Sequence, residues 1–454
     1  MIRILYLFLG LSVLITLHEL GHFLAARIFK TRVERFYLFF DFLFPFPNIL
    51  NFSILRKKIG DTEYGLGWFP FGGYVKIAGM LDESQDESYK NSPPQPWEFR
   101  SKPAWQKLII VLGGIVVNLL LGFFIFSMLL WANGERYIPI ENARYGFAMD
   151  SLAKSIGLQS GDKLIGYDNK TFRDALVPVV KDLLLDDARV LHIERAGKKI
   201  DIPIPEHVYE AILQSEGKIM FTRLAIPNDI DTVLPGSPLQ GIAQNGDKLI
   251  FINNEKIEYF PEITMTLLRF LGSEVTVGLL RGNDTITHRV TLPAEMPEEG
   301  ILKLGARSPE DYLEVKRTEY NLFTAIPAGI VKSFQILSDY IKQFRIIFSP
   351  RLKGYKQIGG FAAISKLYPN RWDWTAFWTS TALLSLILAF MNFLPIPVLD
   401  GGYALFALWE MVTGKAPGER FLQYAHTVGM VLVLALLIYA NGNDLVRWLS
   451  KYFI

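Results

Sequence analysis

Two histidines four residues apart, with a glutamate beside the first, stand in the segment His18-Glu19-Leu20-Gly21-His22. This is the H-E-x-x-H pattern. On a helix, residues four apart share a face, so both imidazoles can reach one metal ion. Glu19 is then placed to take a proton from a water on that metal. The pattern lies inside an apolar run, residues 4–29, that carries no other charged side chain until Arg27. An ionisable side chain at mid-membrane costs at least ~2.5 kcal/mol, so three within about one turn need partners or a function. A polar cluster that only glues helices together needs neither this spacing nor the intervening glutamate.

A catalytic zinc takes protein ligands in three positions and leaves one for water, so a third ligand must come from elsewhere. His192, His207 and His288 fall in a region that reads as soluble, and His426 reads as an interfacial histidine at the start of the last apolar segment. Asp400 is the better candidate. It is the one acidic residue of its apolar segment, behind Pro395-Ile396-Pro397 and before Gly401-Gly402. Proline and glycine open a helix and let a carboxylate point inward at membrane depth. Asp400 would also suit the cap of a helix starting at Gly401, and the two roles are compatible. Asn392, in the same segment, is either interhelical glue or a donor to a developing oxyanion or a substrate backbone. Asn118 has the same two readings and fits glue better.

Residues 64–77 mix aromatics with glycine and read as a hairpin or an edge strand with a tight turn at Gly72-Gly73, followed by Tyr74. A helical substrate hides its amides in its own hydrogen bonds, and adding it to an exposed strand would unwind it. A plain membrane-surface loop is the other reading.

These residues need a membrane scaffold. The chain has 454 residues, of which 50% are hydrophobic and 20% charged. The apolar excess gathers in four runs, at residues 4–29, 108–131, 376–399 and 428–440, the last long enough to span only if it starts near Phe421. The two histidines and the glutamate inside the first run argue against a cleaved signal peptide. Lys30, Arg32, Arg35, Arg56, Lys57, Lys58, Arg100, Lys102 and Lys107 follow the first run or approach the second, which makes that connection cytoplasmic. Both termini and the large region after residue 131 then lie on the far side. A net charge of +2 gives no global drive toward nucleic acid, and the absence of cysteine excludes disulfides, thiolate metal sites and cysteine nucleophiles.

The region between the second and third runs repeats itself. Gly161-Asp162-Lys163-Leu164-Ile165 returns as Gly246-Asp247-Lys248-Leu249-Ile250, and Arg195-Ala196-Gly197 is echoed by Arg281-Gly282-Asn283. The period suits two small β-rich modules. Residues 321–348 have apolar side chains at helical spacing, as in an amphipathic helix at the membrane surface or one packed on the modules. Residues 81–97 read as a polar, proline-rich linker.

The sequence resembles the site-2 proteases, the zinc intramembrane metalloproteases, and most closely their bacterial regulator-of-sigma-E branch. The resemblance rests on His18-Glu19-Leu20-Gly21-His22, on Phe71-Gly72-Gly73-Tyr74-Val75-Lys76, on Gly114 and Asn118, and on Asn392 with residues 394–402. It implies a polytopic α-helical membrane protein with four transmembrane helices, a membrane-associated β-hairpin and two tandem β-rich PDZ-like domains. The expected division is residues 1–131 for the first two spans and the hairpin, 132–220 and 221–310 for the PDZ-like domains, 311–374 for a helical connector, and 375–454 for the last two spans. It makes His18, His22 and Asp400 ligands of Zn2+ and Glu19 the catalytic base, with Asn392, Gly72, Gly73 and Tyr74 on the substrate side. Expected substrates are single-span membrane proteins trimmed on the outer side, such as anti-sigma factors of a sigma-E stress response, and remnant signal peptides. The expected location is the bacterial inner membrane, with the PDZ-like domains periplasmic. The sequence departs from the pattern at Phe39-Phe40-Asp41-Phe42, where the family often has Gly-Phe-Gly, and at Ile115, where it often has proline. A non-catalytic scaffold would not need Glu19, and a metal transporter would favour several metal residues along a path rather than one cluster.

Overall fold

The computed structural model describes residues 2–43, 46, 49–70, 72–80, 93–215, 219–297, 300–350 and 352–453. Phe71, part of the apolar stretch 43–49, and residues 81–92 of the expected linker lie outside them. The chain forms two compact units. One comprises Met1–Gly134, Glu319–Ile341 and Ile358–Ile454, and the other Glu135–Thr318 and Lys342–Gln357.

The first unit holds helices α1 (Ile2–Ile28), α2 (Ala104–Asn133), α3 (Leu322–Ile347, as far as Ile341), α4 (Trp374–Phe393), α5 (Asp400–Thr413) and α6 (Glu419–Phe453). Among the described residues four segments are long and apolar enough to cross a membrane: α1, α2, α4 and Arg420–Ser450 of α6. The last span is therefore full length and starts where the sequence allowed. With no water in the bilayer core, helices are the form in which these runs satisfy their own amides.

Small residues set how closely the spans approach. A Cβ on Gly21 of α1 would lie 2.3 Å from the Gly113 carbonyl oxygen of α2, and one on Gly113 would lie 2.5 Å from that of Gly21. Ser385 of α4 donates from Oγ to the Asn118 carbonyl at 2.7 Å. On α3, Ala325, Gly329 and Ser333 form a buried stripe at intervals of four, and Ser127 of α2 donates to the Ile326 carbonyl at 3.3 Å. Residues 321–341 thus seat on a spanning helix, while Phe323, Val331 and Phe334 of the same helix are exposed.

A four-stranded sheet follows α1, built from β1 (Val33–Leu38), β2 (Ser53–Ile59), β3 (Thr62–Gly67) and β4 (Tyr74–Ile77) in the order β2-β3-β1-β4. The tight hairpin is β2-β3, turning at Gly60-Asp61. Of the two forms open to residues 64–77, the edge strand is the one seen: β1 lies between β3 and β4, and β4 ends the sheet. Gly72 and Gly73 are needed for closeness. Cβ atoms there would lie 2.2 Å from the Phe40 ring and 2.7 Å from the Tyr37 carbonyl oxygen.

The second unit contains the repeat. In its first half Phe147–Met149 pairs with Thr222–Leu224, beside a four-stranded sheet running from Lys163 to Pro203. In its second half Ile230–Val233 pairs with Leu304–Ala306, beside a four-stranded sheet running from Lys248 to Thr291. The repeated residues have the same job twice. Asp162 accepts from Arg195 Nε at 2.7 Å and from the Gln159 amide at 2.8 Å. Asp247 accepts from Arg281 Nη2 at 2.7 Å and from the Gln244 amide at 2.8 Å. Hydrogen bonds from Arg281 hold the Asp247 carboxyl below the usual carboxylate range.

Candidate metal centre

α1 brings His18 and His22 to one face, both buried, with Glu19 beside them. The third group, Asp400, comes from 378 residues beyond His22, through a break between α4 and α5. α4 ends at Phe393, where Leu394 turns extended ahead of Pro395. Val398 then adopts φ 95, a backbone conformation that costs a β-branched residue about 1–3 kcal/mol. Asp400 is the first residue of α5. Its side chain does not cap that helix: Leu399 is the N-cap residue and no side-chain cap bond forms. The capping role that the sequence left open is therefore not the one seen.

Instead the Asp400 carboxylate turns to the histidines. Its Oδ2 lies 3.3 Å from His18 Nε2 and 3.4 Å from His22 Nε2, and the two Nε2 atoms are 3.3 Å apart. Three donor atoms thus form a nearly equilateral triangle. Ligands at the usual ~2.05 Å around a tetrahedral zinc are separated by ~3.3 Å, so the triangle has the size of one tetrahedral face. Asp400 Oδ2 is buried without a hydrogen bond of its own. A buried carboxylate oxygen left so is costly, and a cation at the face would satisfy it. Among the described residues this is the group of three whose ligand atoms converge. The geometry, the borderline-soft nitrogen donors and the single carboxylate all fit zinc.

The outer nitrogens of the ligands are also held. The Ile110 carbonyl of α2 lies 2.9 Å from His22 Nδ1 and accepts its proton, which leaves Nε2 free to ligate. The Asn118 amide lies 3.1 Å from His18 Nδ1. With that amide turned so that Oδ1 accepts, His18 is held in the same ligating tautomer. Asn118 is thus more than interhelical glue. Gly114 itself leaves the space: a Cβ there would lie 2.4 Å from His22 Nε2 and 2.6 Å from His18 Cε1.

The remaining site residues fall as follows. Asn392 places its amide nitrogen 3.2 Å from His18 Nε2, at the rim of the triangle. Glu19 lines a cavity of about 50 Å³ together with the three donors, Val75, Ile77, Val398, Tyr403 and His426. That volume holds a metal ion with a water molecule. The Val75 amide lies within hydrogen-bond reach of the Glu19 carboxylate, so the outer edge of β4 faces the site. Gly72 and Gly73 lead into that strand. The Tyr74 side chain is buried under Tyr37 and donates from its hydroxyl to Asp41 at 3.0 Å, so what Tyr74 offers the site is backbone. His192 lies in the second unit, bonded to Asp201 and the Asp168 carbonyl. A half-buried ion pair, Lys107 to Glu410 at 2.9 Å, ties α5 to α2.

Comparison with known proteins agrees with this chemistry. The profile described as Peptidase family M50 matches residues 6–436. Three similar bacterial proteins each bear the name "Putative zinc metalloprotease". The one from Campylobacter jejuni is 26% identical, covering 98% of this chain and 93% of its own. The one from Xylella fastidiosa (strain Temecula1) is 25% identical, with coverages of 97% and 98%. The one from Thermotoga maritima is 24% identical, with coverages of 98% and 99%. With the His18-His22-Asp400 triangle, the neighbouring glutamate and a match over nearly the whole chain, the protein belongs to peptidase family M50, the zinc metalloproteases that include the site-2 proteases.

Proposed function

We propose that the protein is an intramembrane endopeptidase of the regulator-of-sigma-E branch, cutting the transmembrane segments of single-span membrane proteins. The observation that carries this reading is the position of the donor triangle. His18 lies ten residues before the end of α1, so about 15 Å of helix separates it from the Lys30 end. That depth is inside the bilayer, on the side that the run of lysines and arginines marks as cytoplasmic.

His18, His22 and Asp400 would hold zinc, which when bound supplies the Lewis acid that acidifies a water and polarises the scissile carbonyl. Glu19 takes the proton of the attacking water and passes it to the leaving amine. Asn392 donates to the substrate beside His18. The outer edge of β4, reached through Gly72, Gly73 and Tyr74, receives the substrate as an added strand and holds its amides open beside Glu19. The substrate class is a segment already trimmed on the outer side: an anti-sigma factor, or a remnant signal peptide. The two β-rich modules are PDZ-like domains on the periplasmic face of the inner membrane, where their bulk excludes untrimmed substrates.

Purified protein in detergent, given a single-span substrate shortened on its outer side, tests the proposal. Cleavage that disappears in Glu19→Gln while zinc stays bound supports it. An intact substrate across a series of outer-side truncations, with zinc bound to the wild type, counts against it.

A further inference from the structure

The polar groups of the cavity are not used up by Glu19 and the three donors. His426 of α6 and Tyr403 of α5 line it too. Asp400 and Tyr403 are three apart and share a face of α5, so one face carries a metal ligand and the partner of a fourth histidine. The Tyr403 hydroxyl lies 3.2 Å from His426 Nδ1. His426 is 9% exposed, and its Nε2 is buried with no hydrogen-bond partner among the described residues. A buried polar atom left unpaired costs about 1–3 kcal/mol. α6 is the least packed of the spans, with 11% of its most apolar window buried. An unpaired imidazole edge held at the catalytic cavity by such a helix therefore calls for a ligand.

We infer that His426 is a catalytic residue that donates a hydrogen bond from Nε2–H to the oxygen of the scissile carbonyl as that carbon becomes tetrahedral. The inference rests on the proteolytic reading above. A neutral imidazole carries one N–H. When the Tyr403 hydroxyl donates to Nδ1, that proton is on Nε2, the edge without a partner. No proton moves. The donor is preorganised, in a site from which water is largely excluded, where such a bond is worth most. Tyr403 is a positioning residue, acting through the tautomer it selects.

The test uses full-length, zinc-loaded protein in detergent, on a substrate whose cleavage Glu19→Gln abolishes. His426→Leu is expected to lower kcat about 100-fold with little change in KM, as removal of one oxyanion donor does. His426→Gln, which restores an N–H, is expected to regain at least tenfold of that loss (about one order of magnitude). Tyr403→Phe falls between wild type and His426→Leu. Zinc content and the unfolding temperature stay at wild-type levels. The decisive readout is binding. The Kd of a phosphinic peptide, whose tetrahedral oxygens mimic the transition state, should weaken by the same factor as kcat/KM, while that of a thiol inhibitor, whose zinc-binding group carries no oxygen, should not move. Loss of zinc from His426→Leu would make the residue a metal ligand and overturn the inference. Equal shifts for both inhibitors, or none, would reduce it to a packing contact and overturn it as well. If the wild type cleaves nothing, the proteolytic reading fails first and takes this inference with it.

Discussion

Gly114→Ala is the smallest change that should destroy the metal centre. The added Cβ would lie 2.4 Å from His22 Nε2, 2.6 Å from His18 Cε1 and 2.7 Å from His18 Nδ1, whereas ordinary contact begins at 3.4 Å. Something must move by about 1 Å. α2 has little freedom to retreat, because it is also packed on α4, where Ser385 bonds the Asn118 carbonyl and Leu386 lies against Gly122. The imidazoles therefore move, and a metal site tolerates donor errors of only about 0.2 Å. Second-shell changes alone cost zinc sites 10–100-fold in affinity, so displacing two ligands should cost at least about 100-fold, or ~2.7 kcal/mol. Gly122→Ala, two turns along the same helix, is the control. Its Cβ would meet the flexible end of Leu386 at 2.5 Å, about 12 Å along α2 from Gly114. Both variants should lose about 1–3 kcal/mol of stability from overpacking. Bound zinc, measured by mass spectrometry across a graded chelator series, should fall in Gly114→Ala and stay at the wild-type level in Gly122→Ala. Wild-type zinc affinity in Gly114→Ala, or equal losses in the two variants, would refute the reasoning.

Asp400→Asn should lose zinc, whereas Glu19→Gln should keep it and lose all cleavage; metal analysis and peptide mapping on the same samples separate the two roles. Val75→Pro removes the amide that faces Glu19 from an edge strand that tolerates proline on its open side; kcat/KM should fall by at least about tenfold with zinc retained. Asp247 has a folded pKa below its unfolded value near 3.9, so it contributes stability that is complete above that pH and lost as pH falls through the folded pKa. Hydrogen exchange in residues 230–297 should therefore rise on acidification below about pH 4, and Arg281→Met should flatten that dependence.

The sequence was most legible where chemistry demands a fixed spacing. His18 and His22 could only share a face, and a carboxylate at membrane depth behind two prolines had few other uses than as a ligand. The repeated Gly-Asp-Lys-Leu-Ile with its later arginine was legible for the same reason, since a buried Asp needs a partner and Arg195 and Arg281 supply it at matching positions. Pairing between distant segments was not legible. Nothing local in residues 64–77 says that β1 will insert between β3 and β4, because strand order is a matter of long-range contacts. Asn118 and His426 were read as glue and as an interfacial residue because a lone polar side chain in an apolar helix has no spacing to interpret. Their roles emerge only once α2 and α6 are beside the cavity.

The central claim is that peptide bonds are cut within the membrane. Mapping the cut by mass spectrometry, on a single-span substrate reconstituted with the protein in liposomes, tests it most directly. New termini are expected inside the substrate's apolar span, dependent on Glu19. Termini confined to the water-exposed flanks, with the apolar span always intact, would contradict it.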